Sequence, residues 1–201
     1  MRILNIAAFF VGAVLGQHWT LTADETIWRS RYTNGTRCYV VDLPPGVIAH
    51  SSLPPSPNHG FLISGLAPES TTEVSLDADR LVGVYDTYDA AEYGSAGAYL
   101  KQLLEWEGGV DVLTSHSVKF QGLKAAYVHF RKKKELTVLE NEELVVYRRS
   151  KFDSPMLYVI WIRSTSQGYA QDKKLYEQVR NGFHILPSLK GGCSQASPHI
   201  R

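Results

Sequence analysis

One short segment, Leu157–Arg163 (LYVIWIR), limits the possible folds more than any other part of the sequence. In a strand, successive side chains point to opposite faces of the sheet, and here both faces would be apolar. The two sets are Leu157, Val159 and Trp161 on one face and Tyr158, Ile160 and Ile162 on the other. A strand of this kind needs cover on both sides, so the segment predicts a central strand between layers of other elements.

The rest of the chain predicts several more strands and two helices. One helix is predicted to begin at the capping box Asp89–Glu92 and to end at Gly108, and a second helix to cover Tyr169–Phe183. Strands follow one another with few helices between them, which predicts an α+β fold with a mainly antiparallel sheet and helices packed on both of its faces. The strands other than the central one are predicted at Thr36–Leu43, Phe61–Ile63, Leu81–Thr87, Val110–Phe120, Leu123–Arg131 and Leu144–Arg149.

The charge balance excludes several classes of protein. The 201 residues hold 21 Lys and Arg against 20 Asp and Glu, which is unlike a strongly basic nucleic-acid-binding protein or an acidic disordered chain. A chain of this length can bury roughly two-thirds of the surface that it exposes when unfolded. It therefore needs no metal or disulfide framework to hold a core, and the sequence predicts no cofactor, no metal and no nucleic-acid partner.

Residues 1–16 (MRILNIAAFFVGAVLG) have the order of a secretory signal peptide. One Arg is followed by an apolar run of ~13 residues and then by small residues up to Gly16. As a helix this run would span ~20 Å, which is too short for a hydrocarbon core of ~30 Å. We therefore expect cleavage near Gly16 and a secreted or periplasmic protein, with an uncleaved membrane anchor as the alternative. Removing these residues takes away one Arg and no acid, so the exported chain would have a formal net charge of zero.

The remaining sequence predicts one domain with two flanking segments. Residues 17–35 are predicted to form a lead-in, residues 36–187 a single α+β globular domain, and residues 188–201 a flexible C-terminal tail. Within the domain, residues 44–60 hold five of the nine prolines. Proline fixes φ and cannot donate a backbone hydrogen bond, so this part is predicted to be an extended surface loop.

The two cysteines, Cys38 and Cys193, allow two interpretations. In an oxidising compartment they could form a disulfide that pins the tail to the start of the domain, because free thiols are uncommon there. The alternative is a pair of unbonded thiols. Their spacing matches no zinc-binding motif.

The stretch Leu157–Phe183 combines an apolar strand, a short polar link with a Tyr, and an amphipathic helix that closes on Phe183. With the order of the preceding elements, this ending resembles the PsbP-like family of α/β/α sandwiches. The resemblance would cover about Cys38–Leu186, and the proline-rich loop with Pro57–Phe61 departs from the family's pattern. It implies an exported or organellar accessory and interaction domain, and it supplies no catalytic residues.

One candidate ligand site combines the proline-rich loop with the start of the first helix. His50 and His59 share the loop and could present imidazoles to a metal or an anion, although no third metal ligand is evident. The alternative is that His59 anchors the turn into the next strand. Tyr85, Tyr88 and Tyr93 surround the helix start and could line a small-ligand cleft, or they could pack the helix on the sheet.

A second candidate is a basic patch at two strand ends, composed of Arg131, Lys133, Arg148 and Arg149. If the strand ends are neighbours, the patch could bind phosphate, a polyanion or an acidic partner. The acidic stretch 135–143 lies between them in the sequence and could screen their charge. The alternative is a solvated hairpin whose charges keep an edge strand from aggregating.

No catalytic set is recognisable in the sequence. The stretch Tyr93–Gly97 (YGSAG) lacks the G-x-S-x-G pattern of a nucleophile elbow, and Ser95 falls within the first turns of the predicted helix. The sequence therefore favours a non-catalytic binding or accessory domain that acts with an envelope or extracellular protein. The alternative is a small-ligand-binding or hydrolytic enzyme that uses residues 44–60 and the tyrosine-rich helix start.

Overall fold

Eight strands, all paired antiparallel, form the main sheet of the protein in the computed structural model. The structure describes residues 27–51, 60–64, 80–87, 90–151, 154–189 and 192–193. The predicted signal peptide, His59 and Tyr88 lie outside the described residues. The strands of this sheet are β1 (Ile27–Arg29), β4 (Ile48–Ser51), β5 (Gly60–Ser64), β6 (Leu81–Thr87), β7 (Val110–Phe120), β8 (Leu123–Lys134), β9 (Thr137–Arg148) and β10 (Met156–Thr165).

The strand order is β1-β4-β5-β6-β10-β9-β8-β7, so β10 lies inside the sheet between β6 and β9. The central position predicted for Leu157–Arg163 is confirmed. Leu157, Tyr158, Val159 and Ile160 are fully buried. The strand order ends at β7, so β7 is an edge strand of this sheet.

Two smaller sheets complete the described part of the chain. The first contains β2 (Arg31–Asn34), β3 (Tyr39–Asp42) and β11 (Phe183–Ile185), and the second pairs β12 (Ser188–Leu189) with β13 (Gly192–Cys193). Both β1 and β2 fall within residues 17–35, the segment expected to be a lead-in. Tyr32 is completely buried in the core, so this segment contributes to the folded body.

The helices are α1 (Ala90–Tyr93), α2 (Ala96–Glu107) and α3 (Tyr169–Gly182). The single helix expected from the Asp89–Glu92 capping box is therefore divided. Gly94 has a φ of 71° and interrupts the helical backbone, and Ser95 then serves as the N-cap of α2 by accepting a hydrogen bond of 3.1 Å from the Ala98 amide. Asp89 itself lies outside the described residues.

Alternate residues of β10 enter two different apolar clusters. The first cluster contains Tyr158 and Ile160 of β10 together with Tyr176 and Val179 of α3. The second cluster contains Leu157 and Val159 of β10 together with residues of α1 and α2. We call the corresponding sides of the sheet the first-cluster face and the second-cluster face.

Strand β9 begins seven residues before the strand predicted at Leu144–Arg149. The acidic residues Glu140, Glu142 and Glu143 were expected to lie outside a strand, but each pairs with a residue of β8. Glu140 is opposite Arg131 and Glu142 is opposite His129. Cross-strand pairs of opposite charge stabilise a sheet, so the acidic stretch is compatible with a strand in this register.

The disulfide considered for Cys38 and Cys193 is formed, with a Cα–Cα distance of 5.2 Å. Cys38 has a φ of 57° and lies in the turn before β3, so this strand starts at Tyr39 and not at Thr36. The bond and the β12–β13 pair hold residues 188–189 and 192–193 against the body, within the part of the chain predicted to be a flexible tail. Among the described helices, none has the length and apolar character needed to cross a membrane.

Candidate functional site

The tyrosines predicted to surround the helix start pack against one another beneath α2. The hydroxyl groups of Tyr85 and Tyr99 are hydrogen-bonded, and the rings of Tyr93 and Tyr99 meet edge-on with centroids 5.1 Å apart. Burial raises the pKa of Tyr99, and the nearby Glu143 carboxylate adds to this rise. In the described structure, Tyr85 and Tyr93 thus belong to the packing of the second cluster.

His50 does not face the tyrosines across a cavity. It is buried on β4 opposite Leu62, whereas Tyr85 on β6 is opposite Gly60. Two strand spacings and two residues along the strand separate their backbones by about 12 Å. Burial lowers the pKa of His50, and its Nδ1 atom has no hydrogen-bond partner among the described residues.

Asp86, the neighbour of Tyr85, points to the other face of the sheet. Its carboxylate lies 3.2 Å from the Arg37 guanidinium and accepts a hydrogen bond of 2.9 Å from the Tyr39 hydroxyl. Burial raises the pKa of Tyr39 well above its usual value, and the Asp86 charge acts in the same direction. This buried network connects the turn before β3 to the main sheet, so Asp86 has a structural role there.

Glu143 is the titratable residue whose environment is most unusual for its type. Burial raises its pKa to about 8; the neighbouring Glu107 carboxylate adds to the rise and Arg163 opposes it. Its Oε2 atom and the Trp161 Nε1 atom beside it on the sheet have no hydrogen-bond partner among the described residues. A carboxyl group with this pKa could donate a proton near neutral pH, and the sequence pattern gave no indication of it.

The predicted basic patch is divided between two ends of the sheet. Arg131 donates to Glu140 over 2.7 Å, and Glu140 lies eight residues before Arg148 on β9, which corresponds to about 26 Å in a strand. Arg148 is buried and donates to the Tyr158 hydroxyl over 2.8 Å. Lys133 lies near Arg131 and Arg149 follows Arg148, so the four residues do not meet.

The acidic residues of β9 connect the sheet to α3. Glu140 accepts hydrogen bonds from His129 and Arg131; burial acts to raise its pKa, but these two partners outweigh burial and lower it. Glu142 accepts hydrogen bonds from the Tyr169 hydroxyl and from Lys173 of α3, the latter at 2.6 Å. These contacts satisfy the buried carboxylates within the fold.

A groove of about 420 Å³ lies on the first-cluster face, between the β7–β8 hairpin and the C-terminal part of α3. Its floor is apolar, because Val118, Phe120 and Tyr127 pack against the first cluster, to which Leu144 belongs. The full lining is His116, Val118, Lys119, Phe120, Tyr127, Leu144, Arg180 and Asn181.

The charge around this groove is positive. Lys119 and Arg180 are among its lining residues, and within the described part of the chain neither of them has an acidic partner. The Lys119 side chain alternates with Val118 and Phe120 and therefore points to the other face of the sheet. Arg180 is thus the cation inside the groove. The Arg180 guanidinium lies over the Tyr176 ring at 5.8 Å, which holds it at the wall. An apolar floor with an unpaired cation is suited to a ligand that carries both apolar and anionic groups.

A second, larger groove of about 610 Å³ surrounds the β8–β9 turn. Its only charged lining residue, Arg131, is already paired with Glu140, and Leu136 in the turn is fully exposed. The other lining residues are Thr137, Val138, Thr165, Ser166 and Gln167. This groove therefore offers a ligand little electrostatic attraction, and we take the first groove as the candidate site.

Comparison with known proteins adds information on the fold. No protein-family profile matches the sequence, and no curated protein matches it. Among solved structures, LpqN of Mycobacterium tuberculosis, described as involved in cell envelope biogenesis, superposes with a TM-score of 0.53 at 12% identity, over 82% of this chain and 91% of that one. Cyanobacterial PsbP from Synechocystis superposes with a TM-score of 0.49 at 16% identity, over 87% and 98%. The yeast Ran-binding protein Mog1p has a TM-score of 0.44 at 15% identity, over 74% and 90%.

The fold is similar to that of LpqN. The resemblance predicted from Leu157–Phe183 and the order of the elements is confirmed at the level of fold. At these identities the likeness extends to fold alone, because one fold can carry many unrelated sites.

Proposed function

We propose that this chain is an exported, non-catalytic accessory domain that binds a partner protein at the cell envelope or outside the cell. Its signal peptide would be residues 1–16, and its helices would cover both faces of the sheet as an α/β/α sandwich. The disulfide between Cys38 and Cys193 supports export, because disulfides persist in oxidising compartments. The likeness in fold to LpqN, a protein of cell envelope biogenesis, supports the same proposal.

The observation that carries the proposal is the groove between β7 and α3. It joins an apolar floor to one cation, Arg180, that no described acidic residue neutralises, and the exposed strand β7 borders it. By contrast, the charged residues Glu140, Glu142 and Asp86 are all engaged within the fold. Among the described surfaces, the groove is thus the one whose apolar floor and unpaired charge are best suited to contact another molecule.

The enzymatic alternative has one supporting observation, the raised pKa of Glu143. An acid–base site needs a second titratable group within hydrogen-bond reach in a cleft that admits substrate. His50 and Tyr85 lie on separate strands and Asp86 faces the other side of the sheet. Partner binding is therefore the better supported function.

The proposal is tested by comparing two charge reversals. Arg180→Glu reverses the charge of the groove cation, and its urea unfolding is compared with that of the unmodified chain so that a loss of binding can be separated from unfolding. Lys174→Glu makes the same charge change at an exposed position on α3 outside the groove and serves as the control. Each protein, lacking residues 1–16, is immobilised and exposed to the envelope and extracellular fractions of the source cells.

We expect at least one protein to be retained by the unmodified chain and by Lys174→Glu, and to be lost with Arg180→Glu. Retention of the same proteins by all three forms would contradict the groove assignment. Export is tested separately by N-terminal sequencing of the secreted chain, which should begin at Gln17. A start at Met1 would contradict cleavage.

A further inference from the structure

We propose that the partner contributes an extended segment that pairs with β7 as a ninth strand of the main sheet. The segment would carry apolar side chains toward the groove and acidic side chains toward the other face. This inference rests on the proposed function, since it specifies how the partner of the same groove is bound.

The first argument is the position of β7. It is the outermost strand of the main sheet, and no other described strand pairs with its outer edge. It is eleven residues long, contains no proline, and its residues 111–117 are exposed. One irregularity between Val112 and Thr114 leaves a regular stretch of seven residues, Thr114–Phe120. A long, regular edge of this kind is a template for an additional strand.

The second argument is the direction of the backbone groups. The β7–β8 turn consists of Gln121 and Gly122, with φ values of 49° and 79°, which is the signature of a type I′ turn. In a two-residue hairpin of this type the flanking pair, Phe120 and Leu123, exchanges both hydrogen bonds, and bonded pairs then alternate with non-bonded pairs.

The amides of Phe120, Val118 and His116 therefore point toward β8. The amides and carbonyls of Lys119, Ser117 and Ser115 point outward from the sheet. These three residues give an added strand a ladder of donors and acceptors.

The third argument is the charge on the second-cluster face. Val118 and Phe120 pack in the first cluster, so Lys119 points to the other face, where it lies directly opposite Lys124. Both lysines are exposed and neither has an acidic partner among the described residues. Like charges directly opposite each other destabilise a strand pair, and an acidic side chain on a neighbouring strand would relieve this repulsion.

These features define the occupant. Side chains alternate along a strand, so a segment beside β7 turns every second residue toward the apolar groove and the others toward the two lysines. The structure thus favours a segment of about seven residues in which apolar and acidic residues alternate. A second copy of β7 fits poorly, because Thr114–Phe120 contains Lys119 and no acidic residue.

The experiment uses an acetylated and amidated nine-residue peptide in which Glu alternates with Val. A peptide of the same composition, with all Glu residues first and all Val residues last, is the control. Binding to the disulfide-bonded protein lacking residues 1–16 is measured by calorimetry at two salt concentrations, and amide exchange is followed by NMR. We expect the alternating peptide to bind at least tenfold more tightly than the control, and its affinity to fall with salt.

Amide exchange separates strand addition from other modes of binding. On addition of the alternating peptide, we expect exchange to slow at Ser115, Ser117 and Lys119, and to change little at His116 and Val118, whose amides are already bonded. Equal protection of both sets, or of neither, would overturn the proposal.

Two modifications remove the outward hydrogen bonds. Ser117→Pro deletes one outward donor and none of the bonds to β8, a change that edge strands tolerate, while Ser117→Ala keeps the donor and serves as its control. We expect Ser117→Pro to weaken peptide binding at least tenfold and Ser117→Ala to leave it within twofold. In case Ser117→Pro fails to fold, a peptide that is N-methylated at alternate residues tests the same bonds from the partner's side. Unchanged affinity of the folded proline variant, or of both N-methylated registers, would overturn strand addition.

The outcomes separate this inference from the proposed function. A cellular partner that is lost with Arg180→Glu and retained with Ser117→Pro leaves the groove assignment in place and overturns strand addition. A partner retained with both variants overturns both. A doubling of mass in light scattering that Ser117→Pro abolishes would assign β7 to a second copy and overturn the inference.

Discussion

At the scale of the residue, two nearby carboxyl groups of β9 differ in pKa because they have different surroundings. Glu140 lies between His129 and Arg131, and these partners lower its pKa. Glu143, three residues along and on the other face, lies near Glu107, and its pKa is raised to about 8 mainly by burial. The two residues should therefore affect stability in opposite ways as the pH changes.

Replacing Glu143 by Gln should make the protein more stable above pH 8. In the unfolded chain a Glu has a pKa of about 4.3, so the folded state binds this proton more tightly and stability falls as the pH rises from about 5 to about 8. Glu143→Gln should raise the free energy of unfolding at pH 9 by about 1–3 kcal/mol and change it little at pH 4. Urea unfolding at both pH values measures this, with exposed Glu105→Gln as the control. An equal effect at the two pH values would contradict the burial of a protonated carboxyl.

Replacing Glu140 by Gln should have the opposite effect. The pKa of Glu140 is lowered in the folded state, so its contribution is present at neutral pH and is lost as the pH falls through the acid range. We expect Glu140→Gln to lower the free energy of unfolding at pH 7 by about 1–3 kcal/mol, with a smaller loss below pH 4. Glu135, exposed in the β8–β9 turn, provides a matched Glu→Gln control. A loss that grows as the pH falls would contradict the pairing with Arg131 and His129.

The sequence could not predict these environments. The contact between Glu140 and Arg131 depends on the register between β8 and β9. The proximity of Glu143 to Glu107 depends on where the end of α2 packs on the sheet. Both relations are set by tertiary packing and not by the local pattern. The acidic stretch was therefore expected to separate two strands, whereas it is the first part of one.

At the scale of the element, strands and helices form where the sequence predicts them when the local pattern of apolar residues is clear. The segment Leu157–Arg163 is apolar on both alternating faces, and it forms the interior strand that this pattern predicts. The first helix was placed correctly as a whole, but its interruption at Gly94 and its cap at Ser95 were missed. A glycine followed by a serine inside a helical pattern was the available signal.

The cap on α2 gives a prediction at this scale. Ser95 accepts a hydrogen bond from the Ala98 amide, which would otherwise lack an intrahelical partner. Ser95→Ala should lower the free energy of unfolding by about 1 kcal/mol, and Ser95→Asp should largely preserve it. Thermal unfolding of the three proteins measures this difference. If Ser95→Asp were as unstable as Ser95→Ala, the capping role would be wrong.

At the scale of the whole molecule, the disulfide joins parts of the chain that are 155 residues apart. Cross-linking so long a loop restricts the unfolded chain, and the expected stabilisation is about 3–5 kcal/mol. The double variant Cys38→Ser/Cys193→Ser should therefore be less stable by this amount. Its stability should not change with reductant, whereas that of the unmodified protein should fall. Equal stability of the two proteins would contradict this contribution.

The candidate site also belongs to this scale, which explains why the sequence did not reveal it. The groove exists because β7 is the outermost strand and α3 ends beside it, and strand order cannot be read from a local pattern. The sequence did predict β7 itself, as the strand Val110–Phe120. The basic patch predicted instead required two strand ends to be neighbours, and the antiparallel pairing places its members at two ends of the sheet.

The central claim is that a partner protein occupies the groove, and photo-crosslinking in the source cells tests it most directly. A benzophenone amino acid is introduced at His116, an exposed residue of the groove, or at Leu136, a fully exposed residue of the β8–β9 turn. We predict a discrete adduct with one envelope or extracellular protein from position 116, and none from position 136. The absence of an adduct at position 116, or the same adduct from both positions, would contradict the claim.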